Sequence, residues 1–330
     1  MNANPAAALP KTAALAEAST TAGRGPARRR SRYVRDPRNA VLTPASLLLL
    51  ETVTSYRLVS LPQLVRMGGA SPKAIQRAMR ALFDAGLVEV VAAPRAALAE
   101  PGDANDASLL FGSAPNIYVP ARAGIRLLHA HGLTDALEPP PGYGPKNALL
   151  LRHELGVRDV RIWLELAARL HPGQAVKEWH DGPEAAIDLG RALVPKTLRP
   201  DAWFVYRLGE GEGRDLVLAG FVEFDRATER GERRWSEKLE AYRSLFAGSR
   251  LRETTGYVKA RVLVICTTEA RRAGLADLIA RKAEPSVAER FWLAGRSALG
   301  QSDLSLGVWY RPGNPAPYSL VPAALLKSGR

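Results

Sequence analysis

Apolar positions along this chain keep two different rhythms, and the change between them divides it into two halves. The first rhythm is helical. Thr43 stands as an N-cap with Pro44 in the first turn, and Leu47, Leu50 and Val53 share one face of a helix running to about Tyr56. Residues 61–67 predict a short second helix, stopped by Gly68 and Gly69. Ser71 and Pro72 open a third helix that runs to about Ala85, where Gly86 closes it. Residues 87–91 read as a strand, the polar stretch 94–115 as a long connection, 117–119 as a second strand and 121–131 as a further helix. Residues 134–147, with Pro139-Pro140-Pro141-Gly142 and Gly144-Pro145, carry no period and read as a linker.

Beyond the linker the rhythm alternates. A long helix is predicted over 149–170, then strands near 176–179, 202–207 and 216–225. A helix at 233–246, a strand at 260–267, a helix at 269–282 and strands near 291–293 and 306–310 complete the pattern. Strands interleaved with helices argue for an α/β layer domain with a mixed sheet, over 148–330. The fold class expected is α+β in two domains. In the first, 43–133, two short helices, a third with a Ser-Pro start and a strand pair give the order of a winged helix-turn-helix.

The third helix divides its faces cleanly. Ile75, Met79 and Leu82 recur at the spacing of a core stripe, while Lys73, Gln76, Arg77 and Arg80 fall on the other side. Such a face suits the major groove, where Arg and Gln reach base edges and Lys reaches phosphates. The bland alternative is an ordinary solvated helix face. Net charge weighs against it: a formal +13 points to a polyanionic partner, and double-stranded DNA is the one expected. Part of that charge sits in residues 1–42, rich in Ala, Pro, Thr and Arg, which read as a disordered arm. Arg28, Arg29 and Arg30 there are candidates for phosphate contact. The connection 94–115 would hold the wing tip, but Glu100, Asp103 and Asp106 suit phosphate poorly.

No apolar run is long enough to span a bilayer, residues 1–21 lack the pattern of a secretory signal, and Cys266 is the lone cysteine. A cytoplasmic protein without membrane contact is expected. Cys266 itself lies in the apolar run 262–266 and reads as buried.

Three acids carry the candidate chemistry of the second half. Side chains alternate across a strand, so Glu223 and Asp225 share one face. If 202–207 and 216–225 form a hairpin through 209–214, Asp201 lies opposite Glu223. Three converging carboxylates could hold a hard cation, Mg²⁺ or Mn²⁺, with Glu154 of the long helix as a further ligand. The alternatives are ion pairing of the trio with Arg199 or Arg226, and a plain charged helix face for Glu154.

Pro200-Asp201 followed by Glu223-Phe224-Asp225 resembles the PD-(D/E)xK nuclease core, in which a helix precedes a strand pair bearing such acids. The longer string resembles the replication-relaxation family. It comprises His153-Glu154-Leu155 and Asp159-Val160-Arg161 on the helix, then Arg199-Pro200-Asp201, then Glu223 to Glu229, then Lys238-Leu239 and Tyr242. The resemblance runs over about 43–311. It implies a winged helix joined to a restriction-endonuclease-like domain, in proteins of bacterial plasmids and other mobile elements. A relaxase or a replication protein is the candidate protein partner. Active nucleases end their motif in a lysine, and here that position is Asp225. Lys238, beside the core stripe Trp235, Leu239, Tyr242 and Phe246, is the residue that could reach back over the sheet in its place.

Three functions follow as expectations. The first is a DNA-binding accessory protein with a degenerate nuclease-like body. The second is a metal-dependent endonuclease using Asp201, Glu223, Asp225 and Lys238, and the third a winged-helix transcription regulator. His153, His171 and His180 have no ligand spacing among themselves and read as structural. Gly209-Glu210-Gly211-Glu212-Gly213 joins two strands rather than opening a helix, which disqualifies it as a phosphate loop.

Overall fold

Capping chemistry sets the helices of the first half. In a computed structural model, which describes residues 33–37, 41–94, 98, 114–139, 148–190, 197–211, 214–226 and 232–326, Thr43 caps α1 (Pro44–Tyr56). Its side chain accepts from the Ser46 N–H, and Ser46 answers through its own hydroxyl. Ser60 and Gln63 repeat this box at α2 (Leu61–Met67), and the Ser71 side chain caps α3 (Pro72–Asp84). Between α2 and α3, Gly68 and Gly69 take φ of +82° and +95°, a turn that side chains rarely enter. A two-residue strand, β1 (Val59–Ser60), was not foreseen. It joins β2 (Val88–Val91) and β3 (Ile117–Pro120) in an antiparallel sheet of order β1-β3-β2, and α4 (Arg122–Ala130) follows.

The second half is a seven-stranded mixed sheet of order β12-β11-β10-β9-β8-β7-β4. Its strands are β4 (Ala175–Asp181), β7 (Ala202–Gly211), β8 (Arg214–Asp225), β9 (Arg261–Cys266), β10 (Phe291–Gly295), β11 (Gly307–Arg311) and β12 (Asn314–Ser319). β8, β9 and β10 run parallel and the outer pairs antiparallel. A small separate ladder, β5 (Ile187–Asp188) with β6 (Thr197–Leu198), precedes β7. β7 and β8 form the expected hairpin, pairing Ala202 with Val222 at its base and Gly211 with Arg214 at its tip.

Alternation along β8 feeds two cores. Leu218, Val222 and Phe224 pack beneath α5 (Ala148–Arg169) with Val160, Trp163 and Leu164. Ala219 and Phe221 pack beneath α6 (Glu232–Phe246) and α8 (Glu269–Lys282) with Leu239, Tyr242 and Leu275. Gly156 lets α5 approach: a Cβ there would lie 2.4 Å from the Phe224 ring.

The other side of α5 belongs to the first half. Ile162 joins the core of Leu50, Met79 and Leu82, and Leu151 joins that of Ile117 and Val119. A polar seam follows the same line. The Gln63 amide donates to the Leu155 carbonyl and to Asp159, both at 2.8 Å, and Arg296 holds the second Asp159 oxygen at 2.9 Å. So α5 is a shared helix, buried from both sides. Residues 35–330 form one unit; of Met1–Val34, only Tyr33 and Val34 are described.

The arm with Arg28, Arg29 and Arg30, the acidic residues of 94–115, and positions 140–147 of the expected linker lie outside the described residues. Among the described residues no helix is long and apolar enough to cross a membrane.

Candidate functional site

The hairpin β7–β8 places two of the three acids across from each other. One residue before β7, the Asp201 N–H donates to the Val222 carbonyl at 3.0 Å, which continues the ladder and sets Asp201 opposite Glu223. Its Oδ2 accepts from the Phe224 N–H at 2.7 Å. Glu223 and Asp225 share the α6 face, as alternation requires. A cleft of about 200 Å³ opens there, and Asp201, Glu223, Asp225 and Lys238 line it together with His153, Arg226, Arg234 and Trp235.

Each acid meets a basic partner from a different element. Glu223 is fully buried; Lys238 of α6 donates to its Oε2, and the Tyr242 hydroxyl, one turn on, donates to Oε1 at 2.8 Å. Asp225 is gripped by Arg271 of α8, Nε to Oδ1 at 2.8 Å and Nη2 to Oδ2 at 2.9 Å, while Trp235 Nε1 donates at 3.0 Å. Asp201 faces His153 of α5, Nε2 to Oδ2 at 3.1 Å. These three ion pairs come from α5, α6 and α8, which sequence proximity does not reveal.

The electrostatics follow from burial against pairing. Burial pushes the Glu223 carboxyl up to about 7, only partly opposed by Lys238. Burial also pushes Asp201 up, but the His153 bond, the charges of His153 and Lys238 and the Phe224 N–H outweigh it and hold it low. Lys238 is held above its usual value, since Glu223 and Asp201 overcome its own burial. Burial works against protonated His153, yet Asp201 and Glu223 hold its pKa above 6.5. Its NMR titration should therefore show a midpoint above 6.5, and Asp201→Asn should bring it below that value; an unchanged midpoint in the variant would refute the pairing.

The donor set does not match a resident cation. Both oxygens of Glu223 and of Asp225 accept from protein donors, and among the described residues no group of three or more His, Cys, Asp or Glu is placed to hold a metal ion. Glu154 is absent from the cleft lining. Its charged neighbours are Arg158, His153 and Asp181, and burial raises its pKa.

On α3, Lys73, Gln76 and Arg77 are exposed while Ile75, Met79 and Leu82 are buried. Arg80 differs from its three companions. It forms a two-point ion pair with buried Asp84, Nε to Oδ2 at 2.9 Å and Nη2 to Oδ1 at 2.8 Å, and lies over the Phe83 ring. Cys266 is buried in β9, and burial pushes its thiol up.

His153 is the cleft residue that the sequence reading set aside. It stands four residues before Val157 and seven before Val160, on the face α5 turns to the sheet, and that spacing was a usable signal. Arg271 offered none.

Fold and site together define a mixed α/β protein in which a helical layer and a seven-stranded sheet share one helix, above a cleft of internally paired acids. The replication-relaxation family model matches residues 50–260, and the chain belongs to that family. The match spans His153, Asp201, Glu223, Asp225 and Lys238, and ends before Arg271. No curated protein and no solved structure matches the chain.

Proposed function

We propose that this is a DNA-binding accessory protein acting in the replication or relaxation of a plasmid or other mobile element. In this reading the first half is a winged helix whose α3 enters the major groove of duplex DNA. The sheet half is a nuclease-like scaffold that grips DNA or a relaxase or replication protein without cutting. One observation carries the reading: α3 presents Lys73, Gln76 and Arg77 to solvent from a helix whose Ile75, Met79 and Leu82 are buried on the opposite face. The family's name and the +13 charge agree with it. The paired acids support the non-cutting half, since breaking phosphodiesters with a metal needs carboxylates open to it.

A second reading, a metal-dependent endonuclease, draws on the meeting of Asp201, Glu223 and Lys238 in one cleft. Supercoiled plasmid incubated with the purified protein and Mg²⁺ or Mn²⁺ separates the two. The expected result is a retarded plasmid that stays supercoiled. Nicking that Asp201→Ala abolishes would replace the first reading by the second.

A further inference from the structure

The acidic cleft holds unspent donors on its cationic side. An ammonium carries three N–H donors. Lys238 gives one to Glu223 Oε2, and among the described residues no acceptor takes the other two. Its side chain is 21% exposed and lines the cleft, so the two donors face a space that a ligand can enter. Largely buried donors without acceptors are rare, and an acceptor-rich ligand accounts for them. Arg226 and Arg234 line the same cleft. Like charges crowd there: Arg234 acts on Lys238, and burial and then the charge of Arg152 lower the pKa of Arg226.

The acids do not cancel this charge. Arg271 holds both oxygens of Asp225, and Lys238 and Tyr242 hold both oxygens of Glu223. Protein donors thus sit on these two carboxylates where a cutting enzyme would hold a metal. Among the described residues four cations, Arg226, Arg234, Lys238 and Arg271, meet three acids, Asp201, Glu223 and Asp225, which leaves a positive surplus. The space of about 200 Å³ equals roughly six or seven water volumes and falls below the roughly 300 Å³ where small-molecule sites begin, a size for one phosphate group. We propose that the cleft is a metal-free clamp for a phosphate group, whose oxygens accept from Lys238, Arg226 and Arg234. The clamp rests on the reading of the sheet half as a DNA grip and names the group that is gripped.

The test uses the full chain at fixed ionic strength, with inorganic phosphate and dimethyl phosphate as probes followed by phosphorus NMR. The expected result is a Kd of about 1 mM or tighter, the same in EDTA as in Mg²⁺. Arg234→Gln, at an exposed position, should weaken binding about tenfold. Lys238→Met combined with Glu223→Gln removes the buried charge together with its partner and should abolish binding. Circular dichroism reports whether that pair folds, and Arg234→Gln alone decides if it does not. Dimethyl phosphate bound at least as tightly assigns the clamp to the DNA backbone, whereas a preference for inorganic phosphate assigns it to a terminal or free phosphate. No binding of either probe at about 1 mM, binding only with Mg²⁺ present, or affinity unmoved in the folded variants would overturn the proposal. Such a failure with duplex affinity intact removes the clamp alone, while phosphate binding without duplex affinity removes the DNA reading and leaves the clamp.

Discussion

Replacing Lys238 with methionine is expected to destabilise the protein by about 3–5 kcal/mol at pH 8, the usual result of leaving a buried charge without its partner. Glu223 is fully buried and Lys238 is its cationic partner, while Tyr242 supplies only a neutral hydrogen bond. The loss should depend on pH in a defined direction. The folded-state pKa of Glu223 is already raised from 4.5 to about 7, so its protonated form favours the fold. That contribution is fully present below 4.5 and fades as pH rises through about 7. Without Lys238 to oppose burial, the pKa climbs further. The variant's deficit relative to wild type should therefore be larger at pH 8 than at pH 5, by up to about 1.4 kcal/mol, the linkage value for one proton over the one pH unit above about 7. Glu223→Gln added to Lys238→Met should restore most of the stability at pH 8. Urea unfolding at both pH values measures this; a deficit below about 1 kcal/mol, or one equal at the two pH values, would show that the pair is not what holds this core together.

The second large effect concerns DNA rather than folding. Lys73→Ala, Gln76→Ala and Arg77→Ala together should weaken duplex binding by about 100-fold or more, on the scale of roughly 1–3 kcal/mol for each base-reading contact. All three side chains are exposed and alanine is the best helix former, so the fold should survive intact. Arg80→Ala should behave differently. It leaves buried Asp84 without its ion pair, so its main effect should be on stability. Fluorescence anisotropy on duplex DNA at fixed salt separates the two, and a triple variant within about twofold of wild type would remove α3 from the interface.

What the sequence revealed depended on how locally each feature is determined. The bounds of α1 and α2 were readable because caps, prolines and stop glycines act within one turn. The facing of Glu223 and Asp225 was readable because strand alternation is strict. β12 escaped notice because Pro315 and Pro317 argue against a strand, yet at the sheet edge a missing N–H is tolerated. The double burial of α5 was present in its pattern, with Leu151 and Ile162 on one side and Val157, Val160 and Trp163 on another. A helix apolar on several sides is a buried helix, but the proline-rich stretch before it suggested a tether instead. The partners of the acids were least legible. Lys238 and Tyr242 share a helix face four residues apart, whereas Arg271 reaches Asp225 from 46 residues away through the crossing of α8 over the sheet.

The central claim is that this chain reads duplex DNA through a basic helix, and a salt titration of DNA affinity tests it most directly. Contacts between cationic side chains and phosphates release counterions, so the logarithm of the binding constant should fall linearly and steeply with the logarithm of salt. Removing Lys73 should lower that slope by about one. A flat salt dependence, or no affinity for duplex DNA at low salt, would contradict the account.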